Sequence, residues 1–290
     1  MITELGRPPT AGEAPEPAAG SLEVLAAALN PIDRAVAAGQ FYVGHPPLPF
    51  VPGCECVGRE AGGRVVWTFG GGLGLTRNGA MAERAEPGAV VAEVPEGADF
   101  AVAAALGIAG LAGWLPLAWR APVREGDRVL VLGATGAAGE VALQAARLLG
   151  AAHVVAAGRD PKRLERALEL GADEAVPLDG DLGEPTYVFD PLCGEPLERA
   201  VAAAAPGARI VQLGQSAGAT AALSSAAIRG KQLELYGHSN FAVPADVLGE
   251  HYRRLVAHAI AGELELDVER IGLDELGAAW GRPGKLVVCP

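Results

Sequence analysis

The segment Leu130-Val131-Leu132-Gly133-Ala134-Thr135-Gly136-Ala137-Ala138-Gly139 joins an apolar run to a helical pattern through three glycines spaced three apart. The apolar run predicts a strand, and Val141, Ala145 and Leu148 recur at the spacing of one helix face. Glycine allows the backbone to approach a ligand closely, and the first N–H groups of a helix attract an anion. The segment therefore predicts a cradle for a pyrophosphate.

Around this turn, strands and helices alternate along the chain. Strands are expected at 128–133, 153–157, 186–190, 208–213 and 232–236, and helices at 137–149, 161–170 and 195–204. Such alternation is typical of a parallel sheet with helical crossovers. Residues 22–95 differ, because short strands separated by Gly and Pro turns indicate a small β-barrel-like unit. A helix over 245–261 and a strand over 285–288 are expected near the end.

Composition limits the possible partners. The chain has 290 residues, enough for about two domains, and 50% of them are hydrophobic. The net charge of −12 argues against nucleic acid or an anionic membrane surface as the main partner. The uncharged stretch 101–119 approaches the length of a membrane span, but Gly107, Gly110, Gly113 and Pro116 interrupt it. We expect a buried helix followed by a second, short one.

Cysteine usage indicates a reducing compartment. The four cysteines are Cys54, Cys56, Cys193 and Cys289, and the first two are too close together for an easy disulfide. The chain does not open on a basic segment followed by an apolar one, so no secretory signal is expected. We therefore predict a cytoplasmic protein with no membrane partner.

The residues after the second strand of the parallel sheet indicate which dinucleotide is bound. In NAD-binding folds an acidic side chain at this place commonly binds the ribose 2′-hydroxyl. Here the strand ends in Gly158-Arg159, with Lys162 and Arg163 nearby, and a guanidinium pairs strongly with a phosphate. Asp160 precedes Pro161 and is interpreted as the N-cap of the next helix. The pattern favours NADP(H) over NAD(H).

Several motifs together resemble the medium-chain dehydrogenase/reductase superfamily, within it the zinc-independent quinone oxidoreductase branch. They are Asn30-Pro31-Ile32-Asp33, Pro49-Phe50-Val51-Pro52-Gly53-Cys54-Glu55, Gly133 to Gly139, Gly158-Arg159 and Gly284-Lys285-Leu286-Val287-Val288. The resemblance implies an α/β protein with a GroES-like, β-rich catalytic domain and a Rossmann doubly wound parallel sheet. It assigns 1–112 with 246–290 to the first domain, which is N-terminally trimmed, and 113–245 to the second. It also implies a homodimer formed through the last Rossmann strands, about 232–237.

The resemblance also bears on metal binding. Zinc-dependent members of the superfamily carry Gly-His-Glu where this chain has Gly53-Cys54-Glu55, and a cysteine near the position of Asp33. A catalytic zinc needs three protein ligands, and no further Cys or His lies at a ligand-like spacing. We expect no metal site, and an alcohol dehydrogenase with a metal at Cys54 and Cys56 is the weaker alternative.

Candidate site residues follow from the strand ends and from the resemblance. The residues expected to bind the cofactor are Gly133, Thr135, Gly136, Ala137, Ala138, Arg159, Gly214, Gln215, Ser216, Ser239, Asn240 and Lys285. The candidate catalytic residues are Asn30, which matches the cleft asparagine of the family, and Tyr42, whose hydroxyl can face an acceptor oxygen. Each has a structural alternative: Asn30 as a helix N-cap, Tyr42 as a packing residue, and Lys285 as an ordinary strand-edge lysine.

Two functions from different classes fit these features. The first is an NADPH-dependent enzyme that transfers hydride to a small quinone or enone. The second is a non-catalytic NADP(H)-binding protein with a redox-responsive or interaction role, which the trimmed N-terminal domain motivates. Turnover of NADPH with a small acceptor discriminates between them.

Overall fold

The computed structural model describes all residues, Met1–Pro290. The strands in chain order are Leu22–Ala28 (β1), Glu55–Arg59 (β2), Val65–Phe69 (β3), Arg84–Ala85 (β4), Val90–Glu93 (β5), Arg128–Leu132 (β6), His153–Gly158 (β7), Glu174–Pro177 (β8), Tyr187–Asp190 (β9), Arg209–Gln212 (β10), Glu234–Gly237 (β11), Glu269–Ile271 (β12) and Leu286–Val288 (β13). The helices are Pro31–Ala37 (α1), Phe100–Arg120 (α2), Ala137–Leu148 (α3), Pro161–Glu169 (α4), Gly194–Ala203 (α5), Ser225–Lys231 (α6), Ala245–Ile260 (α7) and Leu276–Ala279 (α8).

The chain forms two compact units. Unit 1 contains Met1–Leu111 and Val243–Pro290, and unit 2 contains Ala112–Ala242. The seven-stranded sheet of unit 1 has the order β12-β13-β1-β2-β3-β5, and β4 pairs with β1. Because β1 pairs with β13 as well as with β2, the C-terminal segment of the chain contributes strands to the same sheet as the N-terminal segment.

Unit 2 is built on a six-stranded sheet in the order β11-β10-β9-β6-β7-β8, with every pair parallel. The side chains of β6 alternate: Val129 and Val131 enter one apolar core, and Leu130 and Leu132 enter another. Both faces of the sheet are therefore covered, as in a doubly wound fold. The order reverses between β6 and β9, which is the usual place for a ligand in such sheets.

The predicted fold class is confirmed. Unit 1 is a mixed, β-rich sheet unit, and unit 2 is a parallel sheet with helices on both faces. The segment 22–29 contains the first strand of unit 1, from Leu22 to Ala28. Two elements of unit 2 were missed, the edge strand β8 and the helix α6.

Helix α2 differs from the expectation of two helices. The run Phe100–Arg120 is continuous. Gly107, Gly110 and Pro116 lie in two π-helical turns, Leu106–Gly110 and Pro116–Arg120, and Gly113 lies in the α-helical turn between them. By length and composition this helix can cross a membrane, but 78% of its apolar window is buried inside the protein. A buried core helix passes the same test, so the helix is weak evidence for a membrane span.

Candidate functional site

The glycine turn of unit 2 is compact because two of its glycines cannot carry a side chain. Gly133 has φ 63°, in the left-handed region that favours glycine. A Cβ at Gly139 would lie 2.3 Å from the carbonyl oxygen of Gly133 and 2.7 Å from the Cα of Ala134. Both contacts are to backbone, which cannot move aside. The end of β6 and the first turn of α3 can therefore approach this closely only with glycine at position 139.

The N-terminus of α3 is open to a ligand. Gly136 is the N-cap, and no side chain caps the first N–H groups of this 12-residue helix. A Cβ built on Gly136 would meet only the carbonyl oxygen of Gly133, at 3.5 Å, so its Cα faces otherwise free space. Uncapped N–H groups beside free space form an anion site. The turn fits the pyrophosphate of a dinucleotide.

The next strand, β7, ends beside this turn. A Cβ at Gly158 would lie 2.8 Å from the Cγ2 of Thr135, so the two strand ends are adjacent. Arg159 follows and is exposed. The carboxylate of Asp160 accepts the backbone N–H of Lys162 at 3.0 Å, which confirms its role as the N-cap of α4. Arg159 is therefore available to a phosphate, while Asp160 is used by the helix.

The loops after β9 and β10 lie at the same edge of the sheet. A Cβ at Gly133 would lie 3.0 Å from Leu192, and a Cβ at Gly214 would lie 2.4 Å from the carbonyl oxygen of Pro191. The hydroxyl of Ser216 donates to the same oxygen at 3.3 Å. The turn at 133–139 and the loop 214–216 thus meet the same segment after β9. Ser239 and Asn240 follow β11, where the Asn240 side-chain oxygen lies 3.1 Å from His238 Nε2.

A second group of polar side chains lies buried inside unit 1, around Glu55. Glu55 is fully buried, and its Oε2 accepts the Trp67 Nε1–H at 2.8 Å and the Ile108 N–H at 2.7 Å. Its Oε1 accepts the Asn30 Nδ2–H at 2.7 Å. Burial raises the pKa of Glu55 to about 7, although these donors and Lys285 oppose the rise.

Lys285 is the cation of this group. It is 7% exposed, and its Nζ donates to Asn30 Oδ1 at 2.6 Å and to the carbonyl oxygen of Leu29 at 3.3 Å. Burial lowers its pKa, and the nearby carboxylates of Glu55 and Asp33 oppose that change. The contact with a cofactor inferred from the resemblance stays a prediction.

Asp33 and Cys54 occupy the positions that hold zinc ligands in related enzymes, but they are engaged with each other. Asp33 Oδ1 accepts the Cys54 backbone N–H at 2.8 Å, and its Oδ2 accepts the Asn30 N–H at 2.7 Å. Burial, and then the charge of Asp33, raise the pKa of the Cys54 thiol well above its usual value. No group of three His, Cys, Asp or Glu residues is arranged to hold a metal ion. These residues do not supply the three protein ligands that a catalytic zinc needs.

Gly107 and the π-helical turn around it are part of this cluster, and sequence reasoning missed them. A Cβ at Gly107 would lie 1.9 Å from Glu55 Oε2 and 2.2 Å from Trp67 Nε1. The same turn leaves the Ile108 N–H free to donate to Glu55. Single π turns are frequent at functional sites. A glycine within an apolar helical run was the available signal.

The two candidate catalytic residues lie in different settings. Asn30 is 1% exposed, and both of its amide hydrogens are used, by Glu55 and by the carbonyl oxygen of Ala28. Tyr42 is 82% exposed and its ring lies 4.4 Å from that of Phe41. The structure does not bring their side chains into one cluster, and their catalytic roles stay predictions.

Several known proteins are similar to this chain in sequence or in fold. Residues 137–249 match the family model described as zinc-binding dehydrogenase. The chain is 30% identical to a phenolphthiocerol/phthiocerol polyketide synthase of Mycobacterium tuberculosis over 92% of its own length and 13% of that protein. It is 32% identical to quinone oxidoreductase-like protein 2 of Rattus norvegicus, over 61% of the chain and 53% of the relative.

A further relative is the chloroplastic NADPH-dependent alkenal/one oxidoreductase of Arabidopsis thaliana, 32% identical over 53% of the chain and 44% of that protein. The chain thus spans a small part of the synthase and about half of the other relatives. Two solved structures share the fold. One is a mycobacterial quinone oxidoreductase with a TM-score of 0.85, 22% identity and coverage of 100% of this chain and 98% of that one. The other is E. coli K-12 YhdH with bound NADPH, with a TM-score of 0.81, 22% identity and coverage of 98% and 96%.

A β-rich unit joined to a doubly wound sheet with a glycine turn defines the class of two-domain, dinucleotide-type oxidoreductase folds. Residues 137–249 match the zinc-binding dehydrogenase family model. The chain resembles quinone oxidoreductases of the medium-chain dehydrogenase/reductase superfamily, in sequence over 53–61% of its length and in fold over nearly all of it.

Proposed function

We propose that this protein is a zinc-independent oxidoreductase that uses NADPH to reduce a small quinone or α,β-unsaturated carbonyl compound. The observation that carries the proposal is the glycine turn, whose uncapped helix N-terminus faces free space and whose neighbouring strand ends in an exposed arginine. Relatives named quinone oxidoreductase-like and alkenal/one oxidoreductase support this acceptor class. The bound NADPH in the E. coli structure supports the choice of cofactor.

In this proposal, different residues of unit 2 bind different parts of the cofactor. Gly133, Thr135, Gly136, Ala137 and Ala138 hold the pyrophosphate through backbone N–H groups at the start of α3. Arg159 pairs with the 2′-phosphate, since a guanidinium matches the geometry of phosphate oxygens. The residues proposed to line the rest of the cofactor are Gly214, Gln215, Ser216, Ser239 and Asn240.

When bound, NADPH supplies the hydride, and the chain has to orient the cofactor and stabilise the charge that develops on the acceptor oxygen. Tyr42 is the proposed donor to that oxygen, because its exposed side chain leaves the hydroxyl available. Asn30 and Lys285 are retained as candidate contacts. Asp33 accepts two backbone N–H groups, and no group of three His, Cys, Asp or Glu residues is arranged around a metal ion, which supports chemistry without a metal.

Steady-state turnover tests the proposal. We expect the protein to oxidise NADPH when a panel of quinones and enones is added, and to keep this activity after dialysis against a chelator. Binding of NADPH without turnover on any acceptor would favour the non-catalytic alternative, and loss of activity restored by zinc would favour a metal-dependent dehydrogenase.

The assembly and the compartment are proposed on separate grounds. Strand β11 lies at an edge of the unit 2 sheet, and Leu235 within it is 43% exposed. An unpaired edge with an exposed apolar side chain can pair with a second copy. We therefore propose a homodimer formed through this strand. The four free cysteines are the ground on which we propose a reducing compartment, the cytoplasm.

A further inference from the structure

The side-chain amide of Asn30 lies between two buried groups of opposite charge. Its Nδ2 donates to Glu55 Oε1 at 2.7 Å, and its Oδ1 accepts from Lys285 Nζ at 2.6 Å. Asn30 is 1% exposed, Glu55 0% and Lys285 7%, so water does not replace either partner. One end of an amide only donates and the other only accepts. The Nδ2 group also donates to the carbonyl oxygen of Ala28 at 3.2 Å. The two charges and this carbonyl therefore select the same single orientation of the amide.

The two oxygens of Glu55 are not interchangeable in this arrangement. Oε2 receives two N–H donors that other elements fix, Trp67 Nε1 on β3 and Ile108 N on α2. Oε1 receives only Asn30. Position 55 must therefore present an acceptor at both places. A carboxylate meets this requirement and an amide cannot.

We propose that Glu55 and Lys285 are positioning residues that lock the orientation of the Asn30 side-chain amide and are energetically coupled to each other through it. The lock is formed by residues of unit 1 alone and is present without cofactor or acceptor, so it goes beyond the proposed function. Its purpose is to hold the start of α1, where the Asn30 N–H also binds Asp33.

Glu55→Gln exposes the lock. The carbonyl oxygen of the glutamine must accept the N–H groups of Trp67 and Ile108, which Oε2 of Glu55 accepts in the wild type. The glutamine NH2 group then faces the NH2 group of Asn30. Asn30 can satisfy glutamine only by rotating half a turn, and it then presents its NH2 group to the Lys285 ammonium. Lys285→Met removes the clash between two donors, because a rotated Asn30 no longer faces an ammonium. The rotated amide still loses its hydrogen bond to the Ala28 carbonyl oxygen, so the relief is partial. By itself, however, Lys285→Met leaves Glu55 without its internal cation.

Thermal unfolding of the ligand-free protein at pH 8 tests this coupling in four forms: wild type, Glu55→Gln, Lys285→Met and the double variant. Each single variant is expected to lower Tm by about 5 °C or more, as for the loss of one partner of a buried pair. The double variant is expected to lose clearly less Tm than the sum of the two single losses. Losses that add in the double variant would overturn the proposal.

Folding failure of a variant is also informative. If a single variant is insoluble and the double variant folds, the coupling between Glu55 and Lys285 is supported. If the double variant is insoluble as well, the proposal is overturned. The matched control is the exposed pair Arg59–Glu23, 3.1 Å apart on the neighbouring strands β2 and β1. Arg59→Met and Glu23→Gln are expected to be additive. Because no cofactor is present, failure of this test leaves the proposed hydride transfer untouched.

Discussion

Arg159 carries the choice between the two nicotinamide cofactors at the scale of a single residue. It is exposed after β7, and the neighbouring carboxylate, Asp160, caps α4 through its Oδ1. Arg159→Ala is expected to weaken NADPH binding by about 1.5–3 kcal/mol, tenfold or more in Kd, with little change for NADH. Fluorescence titration with both cofactors measures this. Equal weakening of both would assign Arg159 no role in phosphate recognition.

Glu55 gives the protein a pH-dependent stability. Burial raises its pKa from 4.5 to about 7, so the folded protein retains a proton over this interval that the unfolded chain releases. The free energy of unfolding should therefore decrease as pH rises from 4.5 to 7, by up to about 3 kcal/mol from this group. Urea unfolding at several pH values measures the slope. The same slope in Glu55→Gln would show that another group is responsible.

At the scale of elements, the turn between β6 and α3 depends on the backbone approach at Gly139. Gly139→Ala would place a Cβ 2.3 Å from the Gly133 carbonyl oxygen, so we expect at least a tenfold loss of NADPH affinity, together with a lower Tm. The control is Gly230→Ala in α6, where a Cβ meets no atom within 4 Å. That change is expected to be neutral or to stabilise by about 0.5–1 kcal/mol. Wild-type NADPH binding by Gly139→Ala would contradict the account of the turn.

The sequence predicted the elements whose hydrophobic pattern is long and regular. Strands β6, β7 and β9 and helix α3 lie close to their expected positions, because each buries a continuous apolar face. Helix α6 was missed because it buries no residue, and β8 because it is a four-residue edge strand that also buries none. The continuity of α2 was missed because glycine and proline usually indicate the end of a helix. Here the helix is mostly buried and continues past them with two π-helical turns.

The two candidate sites also differ in how far the sequence predicts them. The glycine turn is contiguous, so its spacing is visible in the chain. The Glu55 cluster brings together Asn30, Trp67, Ile108 and Lys285, which are far apart in sequence, and only the pairing of β1 with β2 and β13 places them side by side. No local pattern identifies Lys285 as the partner of Asn30. Sequence reasoning found both residues singly and missed their contact.

At the scale of the whole molecule, the edge strand β11 predicts the assembly. Light scattering should give about twice the chain mass of 29.4 kDa. Leu235→Lys places a charge on the exposed edge and is expected to give monomers that still bind NADPH. Val91→Lys is the control, since Val91 is 44% exposed on β5, at an edge of the other sheet. A monomeric wild type would contradict the dimer.

The account as a whole requires that the glycine turn holds a cofactor that gives up its hydride to a small carbon acceptor. The most direct measurement uses NADPH stereospecifically deuterated at C4 of the nicotinamide, with an enone as acceptor and mass analysis of the product. The proposed function predicts deuterium in the carbon skeleton of the reduced product from one of the two C4 positions only. Gly139→Ala is expected to transfer it more slowly when NADPH is below saturation. NADPH oxidation without deuterium in the product, or no oxidation with any acceptor, would contradict the proposed function.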